Sequence, residues 1–189
     1  TTLLTASQKS DFLYIIINPK WQWGNSFDGK VTSMIKNGNY LYVTGNYQNT
    51  AMAMTGLPNV GYTDVFVMKT DTLGNVIWAK SIGGAANDTS VRILQNASGH
   101  LFIAGTFTSS VLHVGTSSIT NLGGRDMFVC EMDTIGNVIA LTNFGTSAND
   151  NLNDFCMDAN NQLYFQKSNG LDVYSFTGTL LWQKTIANG

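Results

Sequence analysis

The sequence predicts an all-β fold, about three units of four short antiparallel strands repeated along one chain, and three observations predict it. Of twelve acidic residues only Glu131 is a glutamate, proline is confined to Pro19 and Pro58, and Gly, Asn, Thr and aromatic residues abound. That mixture suits strands joined by tight turns. Next, "DVFVMKTDTLGNVIWAKSIGGAAND" at 64–88 aligns with "DMFVCEMDTIGNVIALTNFGTSAND" at 126–150, an offset of 62 throughout. Self-similarity at a fixed spacing marks a repeat architecture. Finally, "NGNYLYVTGNY" (37–47), "ASGHLFIAGTF" (97–107) and "ANNQLYFQKS" (159–168) align on Leu41, Leu101 and Leu163.

The elements follow in order. Residues 1–30 supply a leading outer strand and edge, because "IIINPKWQWGNSFD" (15–28) fits the end of the repeat, with Ile17 on Ile77 and Asp28 on Asp88. Trp21 and Trp23 fall off that register and are read as cover for the first edge. Residues 31–84 form the first unit, 85–145 the second and 146–189 a shortened third. The tail of the third, "TGTLLWQKTIANG" (177–189), sets Trp182 on Trp78 and Lys184 on Lys80. In the middle unit the strands are expected near 90–95, 100–107, 126–132 and 137–143, from alternation and from β-branched and aromatic runs.

The third and fourth strands are joined by "DTLGN" (71–75) and "DTIGN" (133–137). These letters specify a tight hairpin, in which Gly takes the positive φ and Asp and Asn bond their own backbone. Four antiparallel strands per unit of this length are the grammar of a β-propeller blade. Three units fall short of the four blades a closed ring needs, so the expectation is an open arc or part of a larger closed propeller. Its open edges would be covered by further blades or by a protein partner.

Several function classes are excluded. The net charge is −2 and the ten Lys and Arg residues are scattered, so there is no basic stripe for nucleic acid. The longest apolar run, "FLYIII" at 12–17, is too short to span a bilayer, and no charged segment precedes it. With Thr at position 1, a mature or trimmed soluble chain is expected. Cys130 falls on Met68 and Cys156 on Leu94, so both are read as free, buried core thiols, with a disulfide the alternative.

The segment "NDNLND" (149–154) lacks the Gly and the closing Glu of an EF-hand loop. Asp154 shares a column with Arg92 and Thr32 that reads as a solvent-facing strand position. Neither a metal nor a cofactor is expected. His100 and His113 are the two side chains suited to base chemistry near neutral pH, and no nucleophile, zinc or phosphate-loop motif accompanies them. Paired carboxylates could serve glycoside hydrolysis, but the aspartates recur with the repeat, as scaffold residues do. A non-enzymatic protein is therefore expected.

The candidate binding residues are Asp28, Asp88 and Asp150, with Asn87 and Asn149 beside the last two. Two readings stay open for them: they cap turn amides between units, or they face a ligand on a loop surface. The long loops 48–63 and 108–125 differ while the flanking strands match, which makes them the natural seat of specificity. Within them Met52, Met54, Val111 and Leu112 are read as packing of a small extra hairpin, with ligand contact the alternative. Trp78 and Trp182 share one column, where each could stack on a sugar ring or fill space between units.

"DVFVMKTDTLGNVIWAKSIGG", followed after a short gap by "GHLFIAGTF", resembles the SBBP β-propeller repeat of secreted and surface proteins of the Bacteroidetes type. The likeness covers nearly all of 15–189 and is strongest in the two central units. It implies a non-enzymatic interaction module, extracellular or at the cell surface. Such a module would be a protein-binding or assembly component linked to a type IX secretion and surface system. A glycan-binding, lectin-like module is the alternative. The resemblance also implies O-glycosylation at Thr72 and Thr134, within "DTL" and "DTI", letters that the hairpin explains equally well.

Overall fold

Period-two alternation with β-branched and aromatic residues makes strands of nearly every segment that carries it. A computed structural model describes residues 29–48 and 56–186. Asp28, Trp21, Trp23, Met52 and Met54 lie outside the described residues. The first sheet comprises β1 (Gly29–Asn37), β2 (Tyr40–Tyr47), β3 (Asp64–Asp71) and β4 (Val76–Ile82), paired in that order. The second comprises β5 (Asp88–Gln95), β6 (Leu101–Phe107), β9 (Asp126–Met132) and β10 (Val138–Asn143). Between β6 and β9 a two-stranded hairpin, β7 (Val111–Val114) and β8 (Ser117–Thr120), stands apart. The third sheet is β11 (Asp154–Met157), β12 (Leu163–Lys167), β13 (Gly170–Tyr174) and β14 (Leu180–Thr185).

Every pairing within these sheets is antiparallel. The described residues are thus all-β, and no helix among them is long and apolar enough to cross a membrane.

The sheets stack face on face. Tyr42, Val65, Val67 and Ile82 of the first pack against Ile93, Leu101, Ile103, Phe128, Cys130 and Met132 of the second, with Leu112 and Val114 of the β7–β8 hairpin closing one end. Phe102, Ala104, Met127 and Val129 on the second sheet's other face meet Phe155, Leu163 and Phe165 of the third. A third buried cluster, Val43, Tyr47, Phe66 and Met68, lies on the far face of the first sheet. The first strands of the three sheets adjoin, β1 against β5 and β5 against β11.

One irregularity recurs. The third-to-fourth strand ladder slips by a residue between Val76 and Trp78, between Val138 and Ala140, and between Leu180 and Trp182. The residue left over in each bulge is Ile77, Ile139 or Leu181, each about half exposed.

Two sequence expectations need correction. The turn between β1 and β2 is a residue shorter than that between β5 and β6, so Ser33, opposite Thr44, and not Thr32, shares a column with Arg92, opposite Ala104. The Asp154 and Arg92 side chains are both well exposed, as that column reads, and they pair across the two sheets. Both cysteines are free, but only Cys130 is buried. Its burial, with the carboxylate of Glu131 adding to the effect, pushes the Cys130 thiol up to about 12. Cys156 is exposed: Leu94, its equivalent, packs toward the third sheet, whereas no further sheet follows Cys156 among the described residues.

Candidate interaction faces

Each hairpin between third and fourth strands is built by its aspartate. Asp71 Oδ1 accepts the amides of Leu73 and Asn75 at 2.8 and 2.9 Å, and its Oδ2 accepts the Asn75 side-chain amide at 2.7 Å. Asp133 repeats this with Ile135 and Asn137 at 3.0, 2.8 and 2.8 Å. Gly74 and Gly136 take the positive φ the turn demands, 87° and 89°. The Asn75 side-chain bond, outweighing slight desolvation, holds the Asp71 carboxyl below its usual range. For Asp133 desolvation acts upward, yet the Asn137 amide and side chain lower it overall. Thr72 and Thr134 are half-buried in these turns, and Leu73 and Ile135 occupy the exposed tips.

The hairpin at 133–137 lies on the outer strands of the first sheet. Trp78 Nε1 and Lys69 Nζ donate to the Thr134 carbonyl at 3.2 and 3.1 Å. Gly136 sits against the indole so closely that a Cβ there would stand 3.1 Å from the Trp78 ring and from Lys80 Cε. Lys69, otherwise a costly buried ammonium, lies 4.0 Å from the centroid of the Tyr40 ring.

The second sheet receives the hairpin at 175–179 in the same way. Phe176 meets Phe102 edge to face at 5.7 Å, and Gly178 lies over Thr142. Cross-strand register makes the seats equivalent: Tyr42, Lys69 and Trp78 form one row, Phe102, Glu131 and Ala140 the next. The third row is Tyr164, Val173 and Trp182. No described hairpin lies on it, and Trp182 is 47% exposed. Of the two tryptophans singled out in the sequence, Trp78 is therefore engaged inside a seam, whereas Trp182 is about half exposed with no described hairpin on it, beside a fully buried Val173.

The recurring aspartates lie where units meet. Asp88 is fully buried; Ser109 Oγ donates to Oδ2 at 2.7 Å, and the amides of Thr108 and Ser109 approach Oδ1 at 3.2 and 3.3 Å. Asp150 is also buried, accepting the amide and hydroxyl of Thr146 at 2.7 and 2.9 Å, with Lys167 Nζ 3.8 Å away. Asn87 and Asn149 are exposed and bridge the preceding loops at Thr63 and Arg125.

Sequence reading passed over Asp64 and Asp126, the first residues of β3 and β9. Both are fully buried, and each Oδ2 accepts an amide four residues upstream, from Val60 at 2.7 Å and Leu122 at 2.6 Å. Their Oδ1 atoms pack onto Gly83 and Gly145, where a Cβ would overlap the carboxylate. The signal was present in the sequence, since both Asp–Gly pairs recur at the same spacing. Burial raises the carboxyls of Asp64 and Asp88, while nearby amides, and the Ser109 hydroxyl for Asp88, pull them partly back.

His100 Nδ1 meets Glu131 Oε1 at 2.6 Å, so this imidazole is tied to a buried carboxylate, and His113 is exposed on β7. Among the described residues no cluster of three or more His, Cys, Asp or Glu side chains is arranged to hold a metal ion. No protein-family model matches the chain, and no curated protein matches it.

Proposed function

We propose that this chain is a non-enzymatic protein-binding or assembly module, built from about three propeller blades that form an open arc or part of a larger closed propeller. The adjoining first strands support the blade reading, since the innermost strands of neighbouring blades line a common axis. The observation that carries the function is the unequal treatment of one row: described hairpins lie on it at Trp78 and at Phe102, and none of the described residues forms one at the half-exposed Trp182. The likeness to the SBBP repeat is what favours a secreted or cell-surface setting and a link to type IX secretion. The titratable groups argue for scaffold, because His100, Asp88 and Asp150 are occupied by neighbouring groups of the chain, and Asp64 and Asp126 are each tied through Oδ2 to an amide of the preceding loop.

Photo-crosslinking from position 182, with Trp182→benzoylphenylalanine made in the cells that produce the protein, tests this reading. Protein adducts from position 182, and none from the covered position 78, are expected. A lack of protein adducts overturns the module reading. Exposed Trp182 beside half-buried Tyr164 also suits a sugar ring. Binding on a glycan array that is lost in Trp182→Ala would favour that second reading.

A further inference from the structure

We propose that copies of this chain associate head to tail, the hairpin at residues 71–75 of one copy entering the seat around the half-exposed Trp182 of another, on which no described hairpin lies. This names the partner of the face on which the module reading rests.

The two filled seats show what such a seat selects. Where the row carries a tryptophan, at Trp78, the occupant is an Asp-Thr-x-Gly-Asn hairpin, whose second residue gives its carbonyl to the indole N–H. Where the row carries Ala140 in place of tryptophan, the occupant is Ser-Phe-Thr-Gly-Thr, and its Phe176 packs edge to face on Phe102 of the seat. Seat and hairpin are thus matched in space. The third row restores the first pattern, with Trp182 for Trp78, Lys184 for Lys80 and Tyr164 for Tyr42. It is therefore a seat for an Asp-Thr-x-Gly-Asn hairpin.

The chain owns one such hairpin besides the one already seated. Its turn is braced by the same three bonds to Asp71, Gly74 has the same φ as Gly136 to within a few degrees, and Leu73 at its tip is 53% exposed. In the association the Thr72 carbonyl accepts from Trp182 Nε1, and Gly74 lies on the indole face. Val173 stands where the first seat has Lys69, so the second donor of that seat is missing. The far face of the first sheet is already buried around Phe66, which confines the contact to the hairpin tip. Such an interface is small and belongs with weak, transient ones. Being heterologous, it builds chains or rings, not an isologous pair.

Sedimentation velocity of the full chain from about 1 µM to about 1 mM, the range in which weak interfaces fill, tests the proposal. The weight-average mass is expected to rise with concentration. Trp182→Ala removes the seat, and Gly74→Ala places a methyl against the indole; each alone should stay monomeric. Mixed in equal amounts, the two variants retain one good seat and one good hairpin between them, so the mixture should recover a dimer and nothing larger. A wild-type chain that remains monomeric throughout overturns the proposal, as does a mixture that recovers no dimer while both variants keep the wild-type circular dichroism. If Gly74→Ala disturbs the fold, Asn75→Ala, which loosens the turn from its exposed side, replaces it with the same expectations. Failure here with protein adducts still forming at position 182 would sink the second copy as partner and leave the module reading standing.

Discussion

Between the first and second sheets the seam is mostly aliphatic, Val65, Val67 and Ile82 against Ile93, Ile103 and Leu112. Between the second and third it is aromatic: Phe165 lies 4.9 Å from Phe144, 5.3 Å from Phe155 and 5.3 Å from Tyr174, centroid to centroid. At the inner strands the first seam is joined by the hydroxyls of Thr32 and Ser90, 2.8 Å apart, and the second by the ion pair of Arg92 and Asp154 at 2.6 Å. The backbone repeats, and the chemistry across each seam does not. What the two seams share is which face is buried, so a change on one side of a seam only has to be matched on the other.

Mutations can break this contrast. The largest effect is expected for Phe165→Ala, at about 3–5 kcal/mol in urea unfolding, because it removes a fully buried ring that touches three others. Ile103→Ala in the aliphatic seam should cost about 2–5 kcal/mol. If the aromatic seam has the tighter packing, Phe165→Ala will exceed Ile103→Ala in the same assay. Gly83→Ala drives a methyl into the Asp64 carboxylate at the first seam, and overpacking of that kind costs about 1–3 kcal/mol. Gly145→Ala should do the same through Asp126.

The first seam should also carry a pH signature. Burial raises the carboxyls of Asp64 and Asp88 above the ordinary 3.8. The folded state therefore holds their protons more tightly than the unfolded one. The resulting stabilisation is complete below pH 3.8 and is lost as pH rises through the folded values. Asp64→Asn should flatten that loss in urea midpoints measured across the acid range, and an unchanged slope would remove Asp64 from the account.

At the second seam Arg92→Ala is expected to change stability by no more than about 1 kcal/mol, since both partners of this ion pair are well exposed. The smallest perturbation is chemical. A thiol reagent should label Cys156 rapidly in the native protein and reach Cys130 only after unfolding, in keeping with the raised Cys130 thiol.

The strands and the hairpins at 71–75 and 133–137 were legible in the sequence, because alternation and turn chemistry are local. The middle unit's strand positions came from the same signals. What lay beyond reach depends on contacts between sheets. That Asp88 caps loop amides was one of the two readings open in the sequence, but its burial under Ser109 was not, because it depends on the following loop folding over it. The exposure of Cys156 follows from its place on the last of the described sheets, which alignment with Leu94 hides. The column slip at Ser33 arises from a turn one residue shorter, too small a change to displace any apolar match. The seat at Trp78 was half visible, since the tryptophans at 78 and 182 share a column, but the hairpin over it is 55 residues or more away in sequence.

The recurring bulges at Ile77, Ile139 and Leu181 have a consequence for how crowded solutions of this protein behave. A straight outer strand would offer its free amides and carbonyls as a template on which other chains could polymerise into cross-β fibres. A bulge in each of the three outer strands interrupts that row and turns it by extra twist, so that no rim stays flat over its whole length. A fold whose described regular elements are all strands is thereby steered away from growth through its outer rims.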